Sequence, residues 1–180
     1  MNTYKESSLL MALVSVVNSF AWLLLAGVSY NAVVVSWFVA TVFVAGIAVW
    51  KISGSVIREP AWWFWLVLSV VGIVVNWLGS SVLSYSYALG YYPWYPVVGV
   101  GYLFSGLYNK GDKRLNRLDR GVLVFSGVVS LLISVLSVTV FSRPNLLVES
   151  RFASPVILFC LTVIPTMVLS IRFGIRAKDD

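Results

Sequence analysis

Residues 110–142 run KGDKRLNRLDR and then GVLVFSGVVSLLISVLSVTVFS: five basic side chains in eleven residues, followed by twenty-two residues without a charge. A helix that crosses a bilayer needs about 20 mostly apolar residues to cover roughly 30 Å of hydrocarbon. The run 121–142 meets that length. Short segments rich in Lys and Arg stay on the cytoplasmic side of a membrane, so this junction reads as a cytoplasmic loop feeding a transmembrane helix.

The rest of the chain divides in the same way. Towards the C-terminus, Arg143 to Ser154 reads as a polar loop and 155–174 as a further span, with Pro165 expected to kink it. The tail from Arg176 to Asp180 is hydrophilic. Towards the N-terminus, the uncharged block from Pro60 to Asn109 has room for two spans, 61–85 and 95–109, joined by a Tyr/Pro/Trp turn from Tyr85 to Pro96. The span 95–109 is short and rich in glycine (Gly99, Gly101, Gly106). Lys51 to Pro60 is a polar loop, and Pro60 suits the first turn of a helix, where a missing N–H costs nothing. The first uncharged block, Ser7 to Trp50, is broken at Gly27-Val28-Ser29-Tyr30-Asn31 and reads as a hairpin of spans 8–28 and 32–51. The apolar run of 8–28 exceeds a signal-peptide core and has no clear small-x-small cleavage site, so it is expected to be retained.

The expectation is an all-α, polytopic transmembrane helix bundle: six spans (8–28, 32–51, 61–85, 95–109, 121–142, 155–174) in a single membrane domain over 1–180, with both termini cytoplasmic. Composition agrees. Apolar residues make up 59% of the chain and charged residues 11%, against about 45–50% and roughly 25% in a globular protein. Too little charge is present to cover a soluble surface. Charge placement tests the number of spans. The inside segments would hold Lys5; Lys51 and Arg58; Lys110, Lys113, Arg114, Arg117 and Arg120; and Arg172, Arg176 and Lys178, while only Arg143 and Arg151 would lie outside. Without the short span 95–109, the five-charge loop would fall outside and the bias would collapse. Trp50, Trp62, Trp63 and Trp65 are expected at the inner interface, and Trp37 and Trp94 at the outer one.

These features narrow the function classes. The net charge of +6 arises from loop clusters, a pattern that argues against nucleic acid as a partner. The chain has no histidine and one cysteine, Cys160, expected as a small buried thiol. No cluster of metal-ligand residues at suitable spacing and no nucleophile beside a base is found, so neither an enzyme nor a cofactor or metal is expected. No Asp, Glu, Lys or Arg falls inside a proposed span except Arg172, close enough to the inner end to snorkel.

Several residues remain as candidate contacts. Asn18 and Asn76 are amides placed in hydrocarbon, where each must bond another helix or a solute. Tyr91, Tyr92, Trp94 and Tyr95 form either an interfacial aromatic belt or an outer mouth for a planar solute. Lys110, Lys113, Arg114, Arg117 and Arg120 are positioned to attract anionic lipid, although setting the topology requires the same charges. Arg143, Asn145, Glu149 and Arg151 read as a solvated outer loop rather than an anion site. Ser126, Ser130 and Ser134, with Gly127 and Ser137, line one stripe suited to close helix packing.

Two functions fit. One is a non-catalytic membrane module (a scaffold, assembly factor or accessory subunit) partnered by the lipid bilayer and by other membrane proteins or copies of itself. The other is a facilitator or transporter of a neutral or aromatic small solute. The sequence favours the module slightly, and a prokaryotic cytoplasmic membrane is the expected location. A water-lined cavity reaching both asparagines would favour the facilitator; asparagines bonded to neighbouring helices within a solid bundle would rule it out.

Overall fold

In the computed structural model, the described residues are 3–24, 39–40, 42–43, 46, 59–82, 93–108, 114–141 and 144–179. They are all-helical apart from short turns, and no strand occurs among them. Among them are five α-helices: α1 (Thr3–Ser19), α2 (Pro60–Val82), α3 (Trp94–Leu103), α4 (Arg117–Phe141) and α5 (Pro144–Asp179). Wide π-helical turns extend α1 over Phe20–Leu24 and α3 over Phe104–Tyr108. Of the expected span 32–51, residues 39–40, 42–43 and 46 are described, and these are helical.

The six-span expectation is met only in part. Among the described residues, two helices, α4 and α5, are long and apolar enough to cross a membrane by length and composition, and α2 contributes a shorter apolar stretch, Pro60–Val75. Geometry explains part of the shortfall. Even with its π-helical extension to Tyr108, which adds 5 residues to the 10 of α3, the segment rises only roughly 20 Å at about 1.5 Å per residue or less, short of the hydrocarbon thickness of about 30 Å. One correction concerns 143–154, expected as a loop: α5 begins at Pro144 and continues through Pro155 and Pro165 to Asp179. Pro144 occupies a first turn, where its missing N–H leaves no bond unmade. A second concerns Cys160, expected to be buried, which is exposed.

The outermost helices of the chain pair antiparallel. Ser8 and Ser170 exchange bonds between α1 and α5: Ser8 Oγ donates to Ser170 O at 2.8 Å, and Ser170 Oγ donates to Ser8 O at 2.9 Å. Further along the pair, Ser15 Oγ and Thr166 Oγ1 are 2.7 Å apart. In hydrocarbon or a dry core these hydroxyls have no water to turn to, so mutual bonding holds the pair together.

α3 is the buried helix of the group, enclosing Trp94, Tyr95, Val98, Gly99, Gly101 and Tyr102. It approaches α4 through glycine. A Cβ on Gly99 would lie 2.8 Å from Leu131, and one on Gly127 would lie 2.9 Å from the Gly99 carbonyl oxygen. Any larger side chain at either position would push the helices apart. Ser126, Gly127, Ser130 and Ser137 of the α4 stripe are all buried, and Ser130 Oγ donates to Tyr95 O at 2.8 Å. Two apolar clusters result, Trp22 with Trp94, Tyr95, Leu158 and Leu161, and Val98 with Tyr102, Leu123, Leu169 and Phe173.

Polar side chains are buried alongside this apolar core, and large apolar ones are exposed. Asn18, Ser15, Ser105, Ser130, Thr162 and Thr166 are buried, while Val67, Phe125, Leu132, Val135 and Ile164 are exposed.

Candidate functional site

The helix pairing brings the starts of α1, α2 and α4 to the same end as the C-terminus of α5, and charge concentrates there. Asn116 and Asp119 form a reciprocal cap on α4. Asp119 N donates to Asn116 Oδ1 at 2.9 Å, and Asn116 N donates to Asp119 Oδ2 at 3.1 Å. The same carboxylate, with a side chain at 0% exposure, receives Arg172 Nε at 2.5 Å and Arg176 Nη2 at 2.6 Å. Asp119 therefore caps its own helix and clamps the end of α5. It lies just outside the uncharged run that starts at Gly121. Burial acts to raise its pKa, but the bonds from Arg172, Arg176 and Asn116 outweigh this and hold the carboxyl below its ordinary value.

A second link crosses the same end. Arg114 Nη2 pairs with Glu59 Oε1 at 3.1 Å, Arg114 Nη1 reaches Ser7 Oγ at 3.4 Å, and the Arg114 carbonyl accepts from Arg176 Nη1 at 2.7 Å. One residue thus joins the starts of α1 and α2 to the end of α5. Glu6 is 1% exposed in the first turn of α1, and neither carboxylate oxygen has a hydrogen-bond partner; the positive end of the helix favours charge at that turn.

Beside this charged end lies a cavity of about 260 Å³ lined from α1, α2, α3, α4 and α5. Its walls are mainly apolar and aromatic, with Trp62, Trp65, Trp94, Tyr102 and Phe173 among them. Trp65 packs edge-on to Tyr102 with ring centroids 5.3 Å apart, and its Nε1 donates to Ser105 Oγ at 2.9 Å. Glu59 and Arg114, already paired, border the cavity at its charged end. Asn18 lines it from α1. The Asn18 Nδ2 turns back to Val14 O at 2.8 Å, while its Oδ1 is buried without a partner.

The candidate residues separate accordingly. Asn18 stands at the cavity; the side chain of Asn76 lies outside the described residues. Trp94 and Tyr95 are 2% and 1% exposed, enclosed between helices rather than displayed at an outer surface, and Tyr91 and Tyr92 lie outside the described residues. Trp94 meets Trp22 edge to face at 6.3 Å, because the start of α3 is inserted into the bundle. Of the basic loop, Arg117 is exposed, Arg114 is committed to Glu59, Arg120 Nε donates to Leu115 O at 3.2 Å, and Lys110 and Lys113 lie outside the described residues. The side chains of Arg143, Asn145, Glu149 and Arg151 lie outside them too.

The Asp119 clamp is absent from the residues singled out by sequence. Two signals point to it: the Asn116-x-x-Asp119 spacing of a capping pair, and Arg172 with Arg176 four residues apart on one helical face. Among the described residues, no three His, Cys, Asp or Glu side chains gather at metal-binding distance. Comparison with protein-family models, with curated proteins and with solved structures finds no match.

Proposed function

We propose that this chain is a polytopic integral membrane protein of six spans with both termini cytoplasmic, and that its bundle holds a neutral or aromatic small solute and lets it cross the membrane without catalysing a reaction. The observation that carries the reading is the cavity: an aromatic-walled space bordered by Asn18, whose Oδ1 has no partner. Binding sites for small molecules are concave and mostly apolar, with a few placed polar groups, and commonly occupy about 300–1,000 Å³. A volume of about 260 Å³ suits a solute smaller than that class. A module acting only through packing would have no use for an unmet amide beside an open space.

The membrane part of the proposal rests on polarity. Exposed Val67, Val70, Val71, Val74 and Val75 give α2 a nearly continuous aliphatic surface, and α4 exposes Phe125, Leu132, Val135 and Leu136. Such faces are unfavourable in water and suited to lipid. Enclosed by its neighbours, α3 need not cover the full hydrocarbon thickness itself, since backbone at membrane depth is tolerated where protein buries it. The up-and-down pairing puts Arg114, Arg172 and Arg176 at one end, which the positive-inside rule makes cytoplasmic. The Glu59–Arg114 pair then borders the cavity towards its inner end. The broad α4 face also supports a second reading, in which the protein packs against membrane partners or its own copies.

Native mass spectrometry of protein extracted gently from its own membrane tests the choice. The expected result is a bound small solute that is lost in Asn18→Ala. A stoichiometric protein partner or a defined homo-oligomer, with no small molecule, would refute the solute reading. Topology is tested separately in a Cys160→Ser background with an impermeant maleimide. Arg143→Cys should label in intact cells and Lys178→Cys only after the membrane is opened; the reverse would sink the orientation.

A further inference from the structure

The hydrogen bonds around the cavity constrain what can occupy it. The buried polar side chains that line it include Ser7, Asn18, Tyr102, Ser105, Thr162 and Thr166. Ser7 sits at the charged end, bound to Arg114. The hydroxyl donors of Tyr102, Thr162, Thr166 and Ser105 are already committed. Tyr102 Oη donates to Thr162 O at 3.2 Å, Thr162 Oγ1 to Leu158 O at 2.7 Å, and Thr166 Oγ1 to Thr162 O at 2.7 Å. Ser105 Oγ donates to Gly101 O at 2.9 Å while accepting from Trp65. Asn18 Nδ2 donates one of its two hydrogens to Val14 O. The atom of this set left without a partner is an acceptor, the Asn18 Oδ1, on a side chain 6% exposed.

A buried acceptor without a donor is costly, by an amount similar to a lost hydrogen bond. The charged groups bordering the cavity, Glu59 and Arg114, neutralise one another. Among these lining residues, a carboxylate solute would therefore find no unpaired cation, and an amine no unpaired carboxylate. With Trp62, Trp65 and Tyr102 among its walls, the cavity favours an apolar aromatic body.

We infer that the occupant is a neutral planar aromatic molecule bearing an N–H or O–H donor, which the Asn18 Oδ1 accepts. This rests on the solute reading above and makes it specific: the site selects for a donor and discriminates against molecules of the same shape that lack one. Discrimination of this kind is strong because the wrong ligand leaves the buried oxygen unmet.

The test compares indole with 1-methylindole, which keeps the ring system and loses the donor. Binding is measured on full-length protein in lipid nanodiscs, with empty nanodiscs subtracted. Indole should bind saturably, and 1-methylindole about tenfold more weakly, the worth of about one hydrogen bond. Asn18→Leu should bring indole down to the level of 1-methylindole and leave the latter unchanged. The comparison on wild-type protein stands even if the variant fails to fold. Equal, saturable binding of both ligands, weakened by Trp65→Ala, would overturn the donor inference while leaving the cavity reading intact. No binding of either ligand to folded protein would overturn both.

Discussion

Replacing Asp119 by Asn should destabilise the protein by about 2–3 kcal/mol. The carboxylate is fully enclosed between Arg172 and Arg176 at 2.5 and 2.6 Å. Hydrogen bonds to charged groups contribute about 1.5–3 kcal/mol each, and neutral ones about 0.5–1.5 kcal/mol. Loss of charge at two bonds therefore costs about 1–1.5 kcal/mol apiece. Breaking a fully buried ion pair costs about 3–5 kcal/mol, but the arginine side chains keep 29% and 23% of their exposure and rehydrate in part, so the lower figure applies. The amide oxygen introduced in Asp119→Asn would still accept from the Asn116 N–H. Asp119→Ala removes that cap as well and should cost about 1 kcal/mol more. For a chain of this size, each kcal/mol shifts the melting temperature by roughly 2–4 °C. Thermal unfolding in detergent micelles, followed by circular dichroism, should thus show Asp119→Asn melting roughly 5–10 °C below wild type. A double-mutant cycle with Arg176→Gln should show coupling of about 1 kcal/mol. Melting within about 1 °C of wild type, or strict additivity in the cycle, would refute the clamp.

Stability should also depend on pH in a defined direction. Because the folded pKa of Asp119 lies below its unfolded value, about 3.9, its contribution is complete above that value and is lost as pH falls through the folded pKa; the gap between wild type and Asp119→Asn in melts across the acid range should close accordingly. Gly127→Ala should cost about 1–3 kcal/mol in the same melts, since its Cβ would meet Leu103 at 2.8 Å and the Gly99 oxygen at 2.9 Å. Gly121→Ala, with nothing within 4 Å, should instead be neutral or stabilising by up to about 1 kcal/mol; equal effects at both positions would refute the close α3–α4 approach. Asn18→Leu, which removes the unmet oxygen, should raise stability by about 1 kcal/mol in the absence of solute, and clear destabilisation would mean that the amide is bonded after all.

Helix content and several helix limits are legible in the chain because they depend on local properties. Pro60 starts α2 as its position suggests, and α4 covers the uncharged run 121–142 almost completely. The segment 143–154 reads as a loop because it carries Arg143, Glu149 and Arg151, whereas Pro144 opens a helix and Pro155 is carried within it. Trp94 reads as interfacial for a different reason. Interfacial aromatics and core aromatics have the same composition, and only insertion of α3 into the bundle separates them.

Composition and spacing are enough to establish a chain of 59% apolar and 11% charged residues, its helical class and the grouping of its basic residues, since each of these is a property of short stretches of chain. They single out Asn18 as an amide in an apolar helix, but not as one with a bonded nitrogen and an unmet oxygen beside a cavity. The pairing of Asp119 with two arginines more than fifty residues away emerges only once the helices are assembled. Such contacts depend on which helix faces meet, and the close approach of Gly99 to Gly127 and the antiparallel bonding of Ser8 with Ser170 bring those faces together.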